Sequence, residues 1–210
     1  MIKEIDKFDR LEIFNHYNSC DNPFLIITTK LDVTDIVDYC KIKNHFYATM
    51  GFLVGKSVMN IDNFRYRVKE GKFYYCENII TNYTDILSNG NIGYFDVPLL
   101  ADYNDYIRNY DEEKQNFLKD EDYMTNNELN EIWISSIPWF KCTNLIPPFD
   151  KKNTIPMFFW DKYELENDKY YVNFTILVHH GFVDGSHVAK FINELEIQLK
   201  EFRKKYDSSN

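Results

Sequence analysis

The chain is poor in the residues that usually staple, interrupt or anchor a fold. Its four cysteines, Cys20, Cys40, Cys76 and Cys142, lie far apart with no C-x-x-C pair, so neither a disulfide framework nor a zinc site is signalled and free thiols are expected. Apolar runs are short. The longest, "ATMGFLVG", falls well below the roughly 20 residues that a membrane-spanning helix needs, and the opening "MIKEIDKFDR" lacks the apolar stretch of a signal peptide. A soluble, cytoplasmic protein with no membrane partner is expected. Basic residues are in deficit, 24 Lys and Arg against 33 Asp and Glu for a net charge of -9, and no basic stripe offsets this, which argues against nucleic acid as a partner. A ligand with only a few phosphates needs no more than a few local lysines and stays compatible with that charge. Glycine (7) and proline (6) are scarce, and no repeat or linker divides the chain. Its 210 residues suit one sizeable core, so a single domain over 1–210 is expected, with only the "KKYDSSN" end lacking fixed structure.

Aromatic residues are abundant, 17% of the chain with 17 Phe and 16 Tyr, which suits half-buried sheets. "FDRLEIFNHY" places Phe8, Leu11, Phe14 and Tyr17 at three-residue spacing, a helix with Arg10 near its start. "FLIITTKLDV" reads as a strand, and "DVTDIVDYCKIKN" and "FYATMGFLVGKSVMN" as helices, the second more buried. "FRYRVKEGKFYYCENIITNYT" reads as a meander, two strands about Glu70-Gly71 and a third following. "DVPLLADYNDYIRNYDEEKQNFLKD" reads as a helix with a solvated acidic face, and "EIWISSIPWF" as a strand ended by Pro138. Next comes a hairpin of two long strands turning about Glu166 to Asp168, and then a helix from Asp184 carrying Val188, Phe191, Ile192, Leu195 and Leu199. Strands interspersed with helices indicate an α/β fold of two layers, a mixed β-sheet with helices packed on one side.

The densest chemistry lies in "VHHGFVDGSH", with three of the chain's five histidines within ten positions. Strand geometry places Tyr170, Val172, Phe174, Ile176, Val178 and His180 on one face and Asn173, Thr175, Leu177 and His179 on the other. Two ligands of one metal ion must converge, and adjacent histidines on a strand diverge, so no metal is expected. Asp184 can cap the following helix, and Gly185 permits backbone conformations closed to other residues. On these residues alone, the favoured reading is the end of a strand turning into a helix.

"HHGFVDGSHV" resembles the H-H-x-x-x-D-G signature of the chloramphenicol acetyltransferase family, and the likeness extends along the chain. "FDRLEIFNHY" is similar to the family's W-x-R-x-x-x-F-x-x-[FY] segment with Phe8 for Trp; "NFRYRVKEGKFYYCENIITNYT" is similar to its F-R-x-R-x-x-[DE]-G segment, and "SSIPWFKCTNL" to its S-x-x-P-W-x-x-F-T-S-F region. The ending also occurs in the acyltransferase core of 2-oxo acid dehydrogenase complexes, whose lipoyl and linker segments find no counterpart in this sequence. The resemblance implies a homotrimer with sites between subunits and acetyl-CoA as co-substrate, with no permanently bound cofactor. It implies O-acetylation of chloramphenicol, hence antibiotic resistance. By the same resemblance His180 is the general base, and Asp184 pairs with Arg10 to hold the turn, at about 3–5 kcal/mol for a stranded charge if the site is dry. The oxyanion donor falls at Asn144 or, one residue earlier, Thr143; a family threonine falls at Phe159, which has no donor. Tyr17, Met157 and Phe159, with Phe158, are implied for the acceptor pocket, and Lys162 and Tyr163 for the CoA side. His179 and His187 are expected to be structural. A different small-alcohol acceptor and a non-catalytic homologue stay open as alternatives.

Overall fold

The computed structural model describes residues 1–43, 45–120, 128–148 and 150–206. In chain order its strands are β1 (Ile2–Ile5), β2 (Phe24–Asp32), β3 (Tyr66–Lys69), β4 (Lys72–Cys76), β5 (Ile80–Ile86), β6 (Ile92–Pro98), β7 (Glu131–Ile137), β8 (Met157–Asp161), β9 (Glu164–Glu166) and β10 (Lys169–His179). The helices are α1 (Leu11–Asn18), α2 (Thr34–Lys43), α3 (Phe46–Met59), α4 (Tyr103–Asp120) and α5 (Gly185–Tyr206). Seven strands form a mixed sheet in the order β2-β10-β8-β7-β5-β6, with β9 attached to β10. The β5·β7 and β7·β8 pairs are parallel and the others antiparallel. Helices α2 to α5 cover one side, giving the expected two-layer α/β fold. No described helix is long and apolar enough to cross a membrane.

The period-2 pattern of β10 sets the two faces. Val172, Phe174, Ile176 and Val178 are buried towards the helices, where Phe174 and Phe158 both stack on Phe191 of α5. The opposite face carries a row running Asp96, Asn82, Trp133, Met157, Leu177, Ile26 across neighbouring strands. Phe158 therefore belongs to the helix-side core, not to the pocket wall expected of it, because it alternates with Met157 and Phe159. Below α3 and α4 the core is laced by hydroxyls: Tyr106 lies 2.6 Å from both Thr81 and Tyr83, and Tyr103 lies 2.8 Å from Thr49. These contacts satisfy buried polar groups that would otherwise cost about 1–3 kcal/mol each.

Several local readings need correction. Strands β3 and β4 do turn at Glu70-Gly71, both at positive φ (52° and 77°), the geometry of a type I′ hairpin. The meander stops there, because β4 pairs next with β1 in a separate three-stranded sheet, β1-β4-β3, while β5 joins the main sheet. The helix expected from Asp96 begins at Tyr103; before it, Gly93, Phe95 and Val97 alternate inward along β6. The hairpin before the motif turns at Asn167-Asp168 (φ 49° and 64°), but its first arm is broken into β8 and β9 where the Asp161 side chain takes the Asn173 N–H at 2.7 Å. At the C-terminus Lys204, Lys205 and Tyr206 complete α5, with Tyr206 packed on Phe52, Tyr103 and Phe202; the rest of the expected loose end, 207–210, lies outside the described residues.

Candidate active site

Strand β10 ends at His179, so His180 stands just past the ladder, its N–H donating to Pro23 O at 2.8 Å. The two imidazoles have different surroundings, though both lie against α1. His179 is buried between Phe14, Phe24 and Phe182, whereas the His180 ring lies flat on Tyr17 of α1, centroids 3.9 Å apart and planes 6° apart. Gly181 makes this stacking possible. A Cβ there would come within 2.7 Å of Phe14 Cα, so only glycine lets α1 lie this close to the turn. Gly185 was expected to hold a backbone conformation closed to other residues, but it has no positive φ and open space around it. Arg10, Ile13, His16, Tyr17, His180 and Asp184 line a depression of about 390 Å³. The His180 Nδ1 is buried with no hydrogen-bond partner among the described residues.

Asp184 caps α5. Its Oδ1 accepts from Ser186 N (2.9 Å), Ser186 Oγ (2.7 Å) and His187 N (3.3 Å), and its Oδ2 lies 3.2 Å from Arg10 Nη2. Burial opposes ionisation, but the Ser186 hydroxyl, the nearby His187 and these backbone N–H groups outweigh it and hold the carboxyl far below the usual range. Arg10 is thus one partner among several, and the pair is not dry, its side chains being 22% and 33% exposed. The 3–5 kcal/mol expected for a dry pair does not apply. Arg10→Ala is expected to cost about 1 kcal/mol, lowering the melting temperature by roughly 2–4 °C in calorimetry; a fall beyond 10 °C would restore Arg10 as the main support of the turn. His187 takes part in the same turn, its Nδ1 accepting from Asp184 N at 3.2 Å.

The other sequence-selected residues lie apart. Met157 and Phe159 line a second pocket of about 360 Å³ on the helix-free face, with Trp133, Tyr94, Pro147 and Pro148. Lys162 and Tyr163 border a third, about 680 Å³, with His45, Tyr47, Asp111 and Lys114. Thr143 and Asn144 are exposed on the loop after β7 and line none of the three. Among the described residues no group of three or more His, Cys, Asp or Glu converges on a metal position.

Burial shifts two groups, Glu131, which was not picked out from the sequence, and His179, which was expected to be structural. Glu131 accepts from Trp133 Nε1 at 2.7 Å and from Glu128 N, and burial pushes its carboxyl up to about 7. His179 accepts from Gly181 N at 3.1 Å, and burial, then the neighbouring His180, pushes it down to about 4. Their effects on stability have opposite signs. Between about 4.5 and 7 folded Glu131 keeps a proton that the unfolded chain has released, so its contribution falls as pH rises. Between about 4 and 6.5 the unfolded chain holds a proton on His179 that the folded chain lacks, so that contribution rises. From about pH 5 to 6.5, Glu131→Gln is expected to make the slope of unfolding free energy against pH more positive, by about 1.4 kcal/mol per pH unit, and His179→Asn more negative by a similar amount. Parallel slopes in denaturant titrations of all three proteins would contradict both assignments.

The chloramphenicol acetyltransferase family profile matches residues 2–196. A chloramphenicol acetyltransferase from Vibrio anguillarum is 28% identical over 204 residues, covering 92% of this chain and 91% of its own; one from Clostridium butyricum is 29% identical over 206 residues, with the same two coverages. Among solved structures, a chloramphenicol acetyltransferase superposes with a TM-score of 0.80 at 22% identity, over 95% of this chain and all of its own. A probable dihydrolipoamide acetyltransferase from Listeria monocytogenes superposes at 0.70 and 12% identity, over 99% and 97%; at these identities the likeness is one of fold. The profile over nearly the whole chain decides the family: the chain belongs to the chloramphenicol acetyltransferases and is an acyltransferase.

Proposed function

We propose that this protein transfers the acetyl group of acetyl-CoA to a hydroxyl of chloramphenicol, giving resistance to the drug, and that it works in the cytoplasm as a homotrimer with sites between subunits. The single observation that carries the reading is the setting of His180. The imidazole is fixed against Tyr17 with Nδ1 shielded, which leaves Nε2 as the nitrogen for proton transfer at the depression it lines. In the step proposed, Nε2 takes the acceptor's hydroxyl proton as the oxygen attacks the thioester carbonyl carbon. The tetrahedral oxyanion accepts a hydrogen bond from Thr143 or Asn144; the C–S bond then breaks, and the CoA sulfur leaves with the proton from the imidazolium.

The separation of the three pockets suits a site assembled between subunits. In that arrangement the His180 depression of one copy faces the Met157 and Phe159 pocket of the next, with acetyl-CoA reaching the junction past Lys162 and Tyr163. Incubation with acetyl-CoA and chloramphenicol, followed by mass spectrometry, is expected to give O-acetylated drug; no such product would sink the chloramphenicol reading. A second acceptor class is favoured by one feature, the walling of the acceptor-side pocket by Trp133, Phe159 and Pro147. Under it, a panel of small alcohols would be acetylated faster than chloramphenicol.

A further inference from the structure

Asp161 ends β8, an otherwise apolar strand, yet its side chain is fully buried. It is built into a clamp. Oδ1 accepts from Asn173 N at 2.7 Å and meets Lys141 Nζ at 3.4 Å; Oδ2 accepts from Asn173 Nδ2 at 2.8 Å and from Cys142 N at 3.0 Å. Asn173 Nδ2 also donates to Cys142 O at 3.0 Å. The N–H and the C=O of Cys142 are therefore both gripped by side chains of the main sheet, buried Asp161 and partly buried Asn173. Lys141 is tied twice, to Asp161 and to Tyr171 O at 3.4 Å. Immediately beyond this anchored pair the chain runs out into exposed Thr143 and Asn144.

We propose that Asp161 is a positioning residue for acetyl transfer: through Cys142 it sets where the Thr143-Asn144 segment, and hence its hydrogen-bond donor, stands at the reacting carbonyl. This rests on the assignment of that segment to the oxyanion. The physical reason is that a donor on an exposed loop stabilises a developing charge only if its place is fixed before the reaction, and a buried carboxylate accepting from Cys142 N, twice from Asn173 and from Lys141 provides that fixity without touching substrate. A ladder of backbone bonds does not serve here, because β8 leaves its pairing with β10 at this point.

The test is Asp161→Asn, which keeps size but turns one acceptor into a donor facing a donor, with Asn173→Ala as the milder partner should the first fold poorly. Two measurements are made on each. Amide hydrogen exchange over a peptide spanning Phe140 to Leu145 is expected to be faster than in the parent protein. In steady-state kinetics kcat is expected to fall about tenfold to a hundredfold, while KM for acetyl-CoA and for the acceptor stays within about threefold, a split that general loosening of the fold would not produce. Unchanged exchange overturns the clamp whatever the activity. Faster exchange with unchanged kcat overturns its catalytic consequence. A parent protein that transfers no acetyl group to any acceptor overturns the functional reading itself, and the exchange result is then read separately.

Discussion

His180→Ala is expected to lower kcat for acetyl transfer by about 10²–10⁴-fold, the largest effect on activity of any substitution considered. The expectation follows from what the ring does and does not hold together. Among the described residues its Nδ1 makes no hydrogen bond and its one ring contact is with Tyr17, so truncation costs one aromatic stack, about 0.5–1.5 kcal/mol. The anchor to β2 survives, because the bond to Pro23 O comes from the His180 backbone. Activity and stability should therefore separate: near-complete loss of turnover with a melting temperature lower by only a few degrees. A folded variant with more than a tenth of parental kcat would remove His180 as the base. Loss of the fold would mean that the ring is structural.

Arg67→Ala is expected to have the largest effect on stability, about 3–5 kcal/mol. Arg67 is fully buried, and burial pushes its guanidinium down to about 10, yet no carboxylate hydrogen-bonds to it among the described residues. Instead it donates at 2.8 Å to the carbonyls of Phe64, Tyr66 and Glu131. It thus closes the turn entering β3 and ties the small sheet to the start of β7. Alanine leaves those three carbonyls without their donor and opens a cavity the size of the side chain. At roughly 2–4 °C per kcal/mol for a chain of this length, the melting temperature should drop by more than about 6 °C. Arg67→Met, which refills the volume but not the hydrogen bonds, should recover part of the loss. A shift under 2 °C for alanine would show that water or relaxation satisfies the carbonyls at little cost.

Arg67 also marks how far the sequence could be read. Its place in "FRYR" was visible as a pattern, but nothing local tells that its partners include a carbonyl on β7. The same division runs through the fold. Helices α1, α3 and α5 were legible because their apolar spacing is helical, and β10 because its alternation is strict and long. Strand β1, of four mostly exposed residues, carries no such signal. That β4 turns to β1, leaving β5 to the main sheet, depends on pairing between distant segments and not on either strand's own pattern.

The site was legible in a similarly uneven way. Strand geometry separated His179 from His180, and family resemblance linked Arg10 to Asp184, a pair the structure brings to 3.2 Å. At Asp184 the bonds from Ser186 N and His187 N are those of the expected helix cap, whereas the Ser186 hydroxyl and the His187 ring depend on how α5 begins. The need for glycine at Gly181 carries no local signal, because close approach to Phe14 is a tertiary fact. Asp161 left one trace, an acid ending "MFFWD", but its grip on Cys142 appears only when β8, β10 and the loop after β7 are brought together.

The most direct test of the central claim is release of free CoA thiol from acetyl-CoA, measured with and without chloramphenicol for the parent protein and for His180→Ala. Acetyl transfer to chloramphenicol by way of His180 requires thiol release that depends on chloramphenicol in the parent and falls to near background in the variant. Thiol release at background in the parent with chloramphenicol present, or equal rates in the two proteins, would contradict it.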